Sequence, residues 1–162
     1  MVDKRTQGKR NHRNGDKAQD IGERVMRGLG FKFVERIETG FKVTRSGTRI
    51  TGAFPCSKVS GDIRAVGHKG QAVLCEVKYR ESKLKWSDFQ AHQLEAMQAI
   101  TDAGGAAFVV WVASFVPERA YLLHWPFNCL KKGRAINEQE CADLEAVEYF
   151  GIKSKEFAKI PH

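Results

Sequence analysis

A short apolar hairpin pattern that ends in charged side chains constrains this chain most strongly. Residues 63–66 and 72–75 are two mainly apolar segments, and a glycine-bounded turn at residues 67–70 joins them. This pattern predicts two paired β-strands, the second largely buried. Side chains alternate between the two faces of a strand, so Glu76 and Lys78 are expected on one face at its end.

Asp62 begins the first of these strands and comes opposite Glu76 if the two strands pair. Two close carboxylates repel each other unless a cation lies between them, and their hard oxygen atoms suit Mg²⁺ or Mn²⁺. Such an ion would polarise a phosphodiester, and Lys78 would offset the charge of the phosphate. A surface strand whose Glu and Lys are solvated is the alternative, and the triplet alone leaves both interpretations open.

Length and charge favour one domain with a polyanionic partner. The chain has 162 residues, with 27 Lys and Arg against 19 Asp and Glu, which gives a formal charge of +8. This length suffices for one sizeable core. Nucleic acid is the commonest partner of a small domain so basic. A basic protein without such a partner is the alternative.

The cysteines and the hydropathy indicate an intracellular setting. No two cysteines form a C-x-x-C pair, so we expect reduced thiols and not a disulfide or zinc framework. No apolar run reaches the length of about eighteen residues that a membrane span needs, and the N-terminus lacks the apolar region of a secretory signal. We therefore expect a cytoplasmic protein with no membrane partner. The four cysteines are Cys56, Cys75, Cys129 and Cys141.

The chain divides by composition into an arm, a domain and a tail. Residues 1–15 contain five Lys or Arg without apolar periodicity, which predicts a flexible basic arm able to contact DNA phosphates. Residues 16–146 are predicted to form the domain, beginning with a helix from Asp16, its N-cap, to Leu29. Residues 147–162 are left as a C-terminal tail.

Further elements follow from local patterns. Residues 31–37 predict a strand with Phe31, Phe33 and Ile37 on one face. Residues 42–54 predict a protruding basic hairpin, with an ordinary charged edge hairpin as the alternative.

The second half of the chain predicts helices alternating with strands. A helix is expected from Ser87, as N-cap, to the glycines at 104–105, with Gln90 at the capping-box position. The apolar run 106–113 predicts a central strand, and residues 118–125 predict another. A helix capped by Asn137 is expected over 137–146.

The order Asp62, then Glu76-Val77-Lys78, resembles the PD-(D/E)XK nuclease superfamily, although Gly61 stands where that motif usually has proline. The resemblance implies an α/β fold like that of restriction endonucleases, with a mixed central sheet flanked by helices. It makes residues 16–146 a nuclease domain. It also implies an acidic residue of the first helix near the site, for which Glu23 is the candidate.

A more specific resemblance lies downstream. Residues 89–97 (FQAHQLEAM), then Gly104-Gly105, a Phe-Val-Val strand and residues 121–123, resemble the RecU family of Holliday junction resolvases. Residues 53–62 resemble the approach to that family's first catalytic aspartate. The resemblance covers roughly residues 41–130.

This resemblance implies a homodimer that cuts four-way DNA junctions in recombination and repair, using Mg²⁺ or Mn²⁺. It makes residues 42–54 a shortened stalk. The implied metal ligands are Asp62 and Glu76, together with Val77. Lys78 would be the catalytic lysine, Ser60 a hydroxyl residue near the metal and Gln93 a supporting amide. DNA contacts are expected from the basic residues of the hairpin, of the approach to Asp62 and of the loop after Lys78: Arg45, Arg49, Lys58, Arg80, Lys83 and Lys85.

Three functions therefore compete. The first is a cytoplasmic, nucleoid-associated endonuclease that resolves four-way junctions by paired cuts. The second is a VRR-type or restriction-like nuclease that cuts flaps or duplex DNA. The third is a DNA-binding protein on an inactive nuclease scaffold, against which the presence of Asp62, Glu76 and Lys78 together argues.

Overall fold

The computed structural model describes residues 4–38, 40–55, 60–143 and 147–150. The helices are α1 (Lys4–Gly28), α2 (Ala91–Asp102) and α3 (Glu138–Asp143). The strands are β1 (Lys32–Arg36), β2 (Phe41–Ser46), β3 (Arg49–Pro55), β4 (Ile63–Val66), β5 (Ala72–Tyr79), β6 (Leu84–Lys85), β7 (Ala106–Phe115), β8 (Glu118–His124), β9 (Ala135–Ile136) and β10 (Val147–Phe150).

A six-stranded mixed sheet, in the order β1-β4-β5-β7-β8-β10, forms the centre of the molecule. β5 and β7 pair in parallel, and the other neighbours in this sheet pair antiparallel. Parallel neighbours need a crossover connection, and α2 supplies it between β5 and β7. The predicted α/β fold, with a mixed central sheet flanked by helices, is confirmed.

The sheet separates two apolar layers. α1 packs on one face and α2 on the other, so strand β7 is buried on both sides, as its continuous apolar run predicts. The α1 layer includes Ala18, Ile21, Val25, Met26, Ile63, Val77, Phe108 and Val110. The α2 layer includes Leu74, Phe89, Met97, Val109, Trp111 and Leu123.

Gly22 brings α1 unusually close to the sheet. A Cβ atom at this position would lie 2.6 Å from Val77 Cγ2 and 3.2 Å from Ile63 Cδ1. Glycine therefore lets the helix backbone rest directly on the ends of β4 and β5.

Helix α1 begins much earlier than the sequence pattern predicts. It starts at Lys4, so the prediction of Asp16 as its N-cap is wrong, and residues 4–15 continue the helix. Lys, Arg and Gln favour helix without any tertiary contact. The described side chains before Asp16 are mostly exposed, which explains why this part shows no apolar stripe.

Strand β1 presents a different face from the predicted one. Phe33 has a positive φ of 50° and is 73% exposed, whereas Val34 is buried. The pairing of β1 with β4 also shifts register between Lys32 and Glu35. This irregularity breaks the regular alternation of side chains, so the prediction that Phe31, Phe33 and Ile37 share one face is wrong: Phe31 packs on the α1 layer, Ile37 on the α2 layer, and Phe33 is exposed.

Helix α2 begins at Ala91, after a 3₁₀ turn at Trp86–Asp88, so the prediction of Ser87 as its N-cap is wrong. Gln90 is the N-cap and Gln93 completes the capping box. The turn comes first because Asp88 Oδ2 accepts the Lys85 N–H at 2.8 Å. Asp88 thus binds the backbone as a capping residue, one turn before the helix.

The C-terminal helix is capped as predicted. Asn137 Oδ1 accepts the Glu140 N–H and Glu140 Oε2 accepts the Asn137 N–H, both at 2.9 Å. Residues 144–146 of the predicted helix lie outside the described residues. The first four residues of the predicted tail form β10 on the edge of the main sheet, and residues 151–162 lie outside the described part.

The predicted hairpin is present as a separate two-stranded sheet of β2 and β3. Val43 and Ile50 are large apolar side chains that remain exposed on it. The division into arm, domain and tail stays a prediction.

Candidate active site

Asp62 is fixed by the neighbouring strand through both its backbone and its side chain. Its N–H donates to the Cys75 carbonyl at 2.9 Å, and its Oδ2 accepts the Val77 N–H at 2.7 Å. Its other oxygen, Oδ1, accepts a hydrogen bond from Gln19 Nε2 at 3.0 Å. The carboxylate is therefore held at the rim of the sheet, above the end of β5.

Gly61 explains why no proline precedes Asp62. Gly61 has a φ of +81°, which proline cannot adopt. A Cβ atom on Gly61 would also overlap the Leu74 side chain. The turn that aims Asp62 at β5 thus requires glycine in this chain.

Glu76 is a buried carboxylate, and one of its oxygens has no hydrogen-bond partner among the described residues. Its side chain is 2% exposed. Oε1 accepts hydrogen bonds from Lys78 Nζ, at 2.7 Å, and from Gln93 Nε2. Oε2 is buried and accepts no hydrogen bond among the described residues.

The surroundings of Glu76 disfavour its charged form. Burial, followed by the negative charge of Asp62, raises the pKa of Glu76 to about 7, and Lys78 opposes this increase. A proton on Glu76 would relieve its repulsion from the negative charge of Asp62. A bound cation would serve the same purpose as this proton.

Lys78 is enclosed between the strand and α2. Its Nζ lies 2.7 Å from Glu76 Oε1, 3.0 Å from Gln93 Oε1 and 5.3 Å from the centre of the Phe89 ring. Gln93 Oε1 also accepts the Gln90 N–H at 3.0 Å, which fixes the orientation of its amide. The first turn of α2 therefore determines the position of the lysine.

Two glutamines from opposite faces of the sheet thus hold the two carboxylates. Gln93 reaches Glu76 from α2, and Gln19 reaches Asp62 from α1. Gln19 was not predicted from the sequence. The signal that would have found it is its place beside Ala18, on the edge of the apolar stripe of α1.

Two other predicted site residues have different neighbours. Ser60 Oγ donates to the His92 carbonyl at 3.1 Å. Both oxygens of Glu23 accept from arginines, Oε1 from Arg27 and Oε2 from Arg36 at 3.1 Å, and Arg27 is the main cause of its lowered pKa. Glu23 would have to exchange these partners to reach a metal, so its predicted role stays a prediction.

Val77 could supply a ligand only from its main chain. Its side chain is buried against Gly22, and its N–H already donates to Asp62. The main-chain carbonyl oxygen is therefore the atom of Val77 that could bind a metal ion.

The predicted DNA-binding residues are arranged on the hairpin and on the loop after β5. Arg45 and Arg49 are exposed on β2 and β3, and Lys58 lies outside the described residues. Arg80 is held by Asp88, with 2.7 Å between Nε and Oδ1. Arg80, Lys83 and Lys85 line a cavity of about 260 Å³ with Glu81, Ser82 and Asp88.

The residues present fit a divalent cation. Two carboxylates meet at one rim, and one of them keeps a buried oxygen that no described residue contacts by a hydrogen bond. Among the described residues, no group of three or more His, Cys, Asp and Glu side chains is placed to hold a metal ion. Water, main-chain oxygen or a substrate phosphate would therefore complete the coordination, as Mg²⁺ sites commonly allow.

Comparison with known proteins identifies the fold. No family model matches the sequence, and no curated protein sequence matches it. The structure is similar to that of Hjc, a Holliday junction resolvase from the archaeal hyperthermophile Archaeoglobus fulgidus, with a TM-score of 0.51 and 17% sequence identity. The likeness covers 82% of this chain and 94% of that chain, and it supports the nuclease-like fold class.

No helix in the described part of the chain is long and apolar enough to cross a membrane.

Proposed function

We propose that this chain is a metal-dependent endonuclease that cuts four-way DNA junctions. The observation that carries the proposal is the convergence of Asp62, Glu76 and Lys78 at one rim of the sheet. Glu76 Oε2 is buried there and has no partner in the described part of the chain. Structural carboxylates are seldom buried in this way, whereas catalytic ones often are. The likeness to a junction resolvase favours branched DNA over other substrates.

The protein residues would divide the work between them. Asp62 and Glu76 would hold Mg²⁺ or Mn²⁺, which supplies Lewis-acid activation of a phosphate and of water. Lys78 would offset the negative charge that develops on the phosphate, and Gln93 would keep its ammonium group in place. The enclosure of Lys78, whose side chain is 13% exposed, strengthens its electrostatic effect.

We further propose that the protein acts as a homodimer in the cytoplasm, associated with the nucleoid. A four-way junction has two-fold symmetry, so two matched cuts require two active sites related by a two-fold axis. The hairpin β2–β3 is the candidate for a shortened RecU-like stalk. Its exposed Val43 and Ile50, with Arg45 and Arg49 nearby, suit contact with DNA at a branch point.

The first prediction concerns substrate choice. In Mg²⁺, we expect the protein to cut a labelled synthetic four-way junction symmetrically, and to cut a flap or a linear duplex at least about tenfold more slowly.

Asp62→Asn should lose about a thousandfold in cleavage rate, on the order of 4 kcal/mol of transition-state stabilisation, because it removes one charged ligand. Denaturing gels that resolve the cut strands measure both effects.

Glu95→Gln is the matched control, because Glu95 is an exposed acid of α2 and its loss should leave cleavage unchanged. Equal cutting of junction, flap and duplex would favour the flap or duplex nuclease. Tight junction binding with no cleavage in Mg²⁺ or Mn²⁺ would favour the non-catalytic DNA-binding protein.

A second prediction concerns the loop after β5. Lys83 and Lys85 are exposed beside Arg80, so we expect them to contact backbone phosphates. Replacing both with alanine should weaken junction binding in Ca²⁺ at low salt. It should also reduce the slope of log affinity against log salt by about 2, one for each lost phosphate contact.

Fluorescence anisotropy over a series of salt concentrations measures this slope. The double variant Lys131→Ala and Lys132→Ala is the control, since these exposed lysines follow β8 in a different loop. An unchanged slope in the Lys83 and Lys85 variant would contradict the assignment of this loop.

A further inference from the structure

We infer that Gln19 is a positioning residue that orients Asp62 for one divalent cation per chain, and this inference rests on the proposed function. Its basis is the hydrogen bond of 3.0 Å from Gln19 Nε2 to Asp62 Oδ1, which links residues 43 positions apart in the chain. Gln19 is partly buried, so this bond is partly shielded from solvent.

The bond completes the anchoring of the Asp62 carboxylate. Val77 N–H binds Oδ2 at 2.7 Å and Gln19 binds Oδ1, so neither oxygen can rotate away from its place. Each carboxylate oxygen accepts about two hydrogen bonds or ligand contacts. One position on each oxygen therefore remains for a cation, and its direction is fixed by the two donors.

Helix packing places Gln19 beside this carboxylate, whereas arginine partners hold Glu23, one turn later on the same side of α1. Gln19 lies three residues before Gly22, so the two share one side of α1. Gly22 brings that side against Val77, at the strand end that holds Asp62. Glu23 is directed instead to Arg27 and Arg36.

The charge of the site indicates how many cations it holds. Asp62, Glu76 and Lys78 give a formal charge of −1, and Gln19 adds none. One divalent ion would raise this to +1, which matches a phosphodiester of charge −1. A second ion would raise it to +3, and the described residues offer no third acidic ligand that would offset it.

The experiment is a Mn²⁺ titration followed by electron paramagnetic resonance of the free ion, at a pH above 7 and without DNA. We expect the wild-type protein to bind one Mn²⁺ per chain. Gln19→Ala should weaken this binding ten- to hundredfold, the usual effect of losing a group that orients a metal ligand. Gln7→Ala should leave it unchanged, because Gln7 is an exposed glutamine of the same helix.

Gln19→Glu is the opposite test. A third carboxylate beside Asp62 should lower the melting temperature in EDTA and tighten Mn²⁺ binding, with a second ion binding per chain. If Gln19 had only a structural role, its replacement by glutamate would not both lower the melting temperature of the metal-free protein and tighten Mn²⁺ binding. Gln19→Met, which keeps the length of the side chain without its amide, replaces Gln19→Ala if the alanine variant does not fold.

The outcomes separate this inference from the proposed function. Wild-type Mn²⁺ affinity in folded Gln19→Ala or Gln19→Met would overturn the role of Gln19 and leave the metal-dependent nuclease intact. Two ions bound by the wild-type protein would overturn the single-ion assignment. No Mn²⁺ binding by the wild-type protein would overturn both proposals.

Discussion

Glu76→Gln should abolish cleavage and at the same time stabilise the metal-free protein. The loss of cleavage should reach about a thousandfold, since a neutral amide is a poor ligand for Mg²⁺. The stabilisation follows from the buried position of Glu76, where Asp62 repels its charge and no described residue donates a hydrogen bond to Oε2. Glutamine has nearly the same shape and removes that repulsion.

The pH dependence gives the sign of this effect. Burial and Asp62 raise the pKa of Glu76 from 4.5 to about 7, so the folded state binds this proton more tightly than the unfolded state. In the wild-type protein, proton binding by Glu76 therefore contributes fully to the free energy of unfolding below about pH 4.5. This contribution is lost as the pH rises to about 7. This shift corresponds to a decrease of about 3 kcal/mol in the free energy of unfolding.

Urea unfolding at several pH values from 4 to 8, in EDTA for the metal-free samples, measures this decrease. We expect it in the wild-type protein and expect most of it to disappear in Glu76→Gln and in wild-type protein saturated with Mn²⁺. Glu95→Gln again serves as the control. If the free energy of unfolding of Glu76→Gln fell with pH as steeply as that of the wild-type protein, another group would have to titrate in this range.

Gly61→Ala should be the most destabilising of the small substitutions near the site. Alanine there must adopt a φ of +81° and place its Cβ atom against Leu74. The positive φ alone costs about 1 kcal/mol, and displacing a buried leucine adds about 1–3 kcal/mol. Because Asp62 follows directly, the change should also weaken Mn²⁺ binding.

Gly70→Ala separates these two causes. Gly70 has a nearly equal φ of +83°, but a Cβ atom there would have no described residue within 4 Å. Urea unfolding of both variants should therefore differ by the cost of the Leu74 overlap alone. Leu74→Ala combined with Gly61→Ala should recover part of the Mn²⁺ affinity, and equal losses in the two glycine variants would contradict the overlap.

The part of the site that follows strand periodicity could be predicted from the sequence. Glu76 and Lys78 share a face because side chains alternate along β5, and Asp62 meets them because its strand pairs with β5. The apolar run of β7 similarly predicted its central place. These features depend on local rules and on one short turn.

The remaining features depend on tertiary contacts that no local pattern contains. Gln19 belongs to the site because Gly22 lets α1 approach β5, and a glycine in a helix gives no sign of what it will touch. Phe33 faces outward because the register of β1 shifts, which breaks the regular alternation of side chains along the strand. Residues 4–15 form helix although they lack the apolar stripe by which an amphipathic helix is predicted from sequence.

The capping box of α2 limits how the loop before it can change in length. Gln93 closes the helix end through Gln90 and steadies Lys78 with the same amide. Successive residues of a helix are rotated by about 100°, so starting α2 one residue earlier or later would turn this amide away from Lys78. Insertions in loop 80–88 should be tolerated only where the helix still begins at Ala91, which makes the starting residue of α2 a natural point of constraint for designed variants.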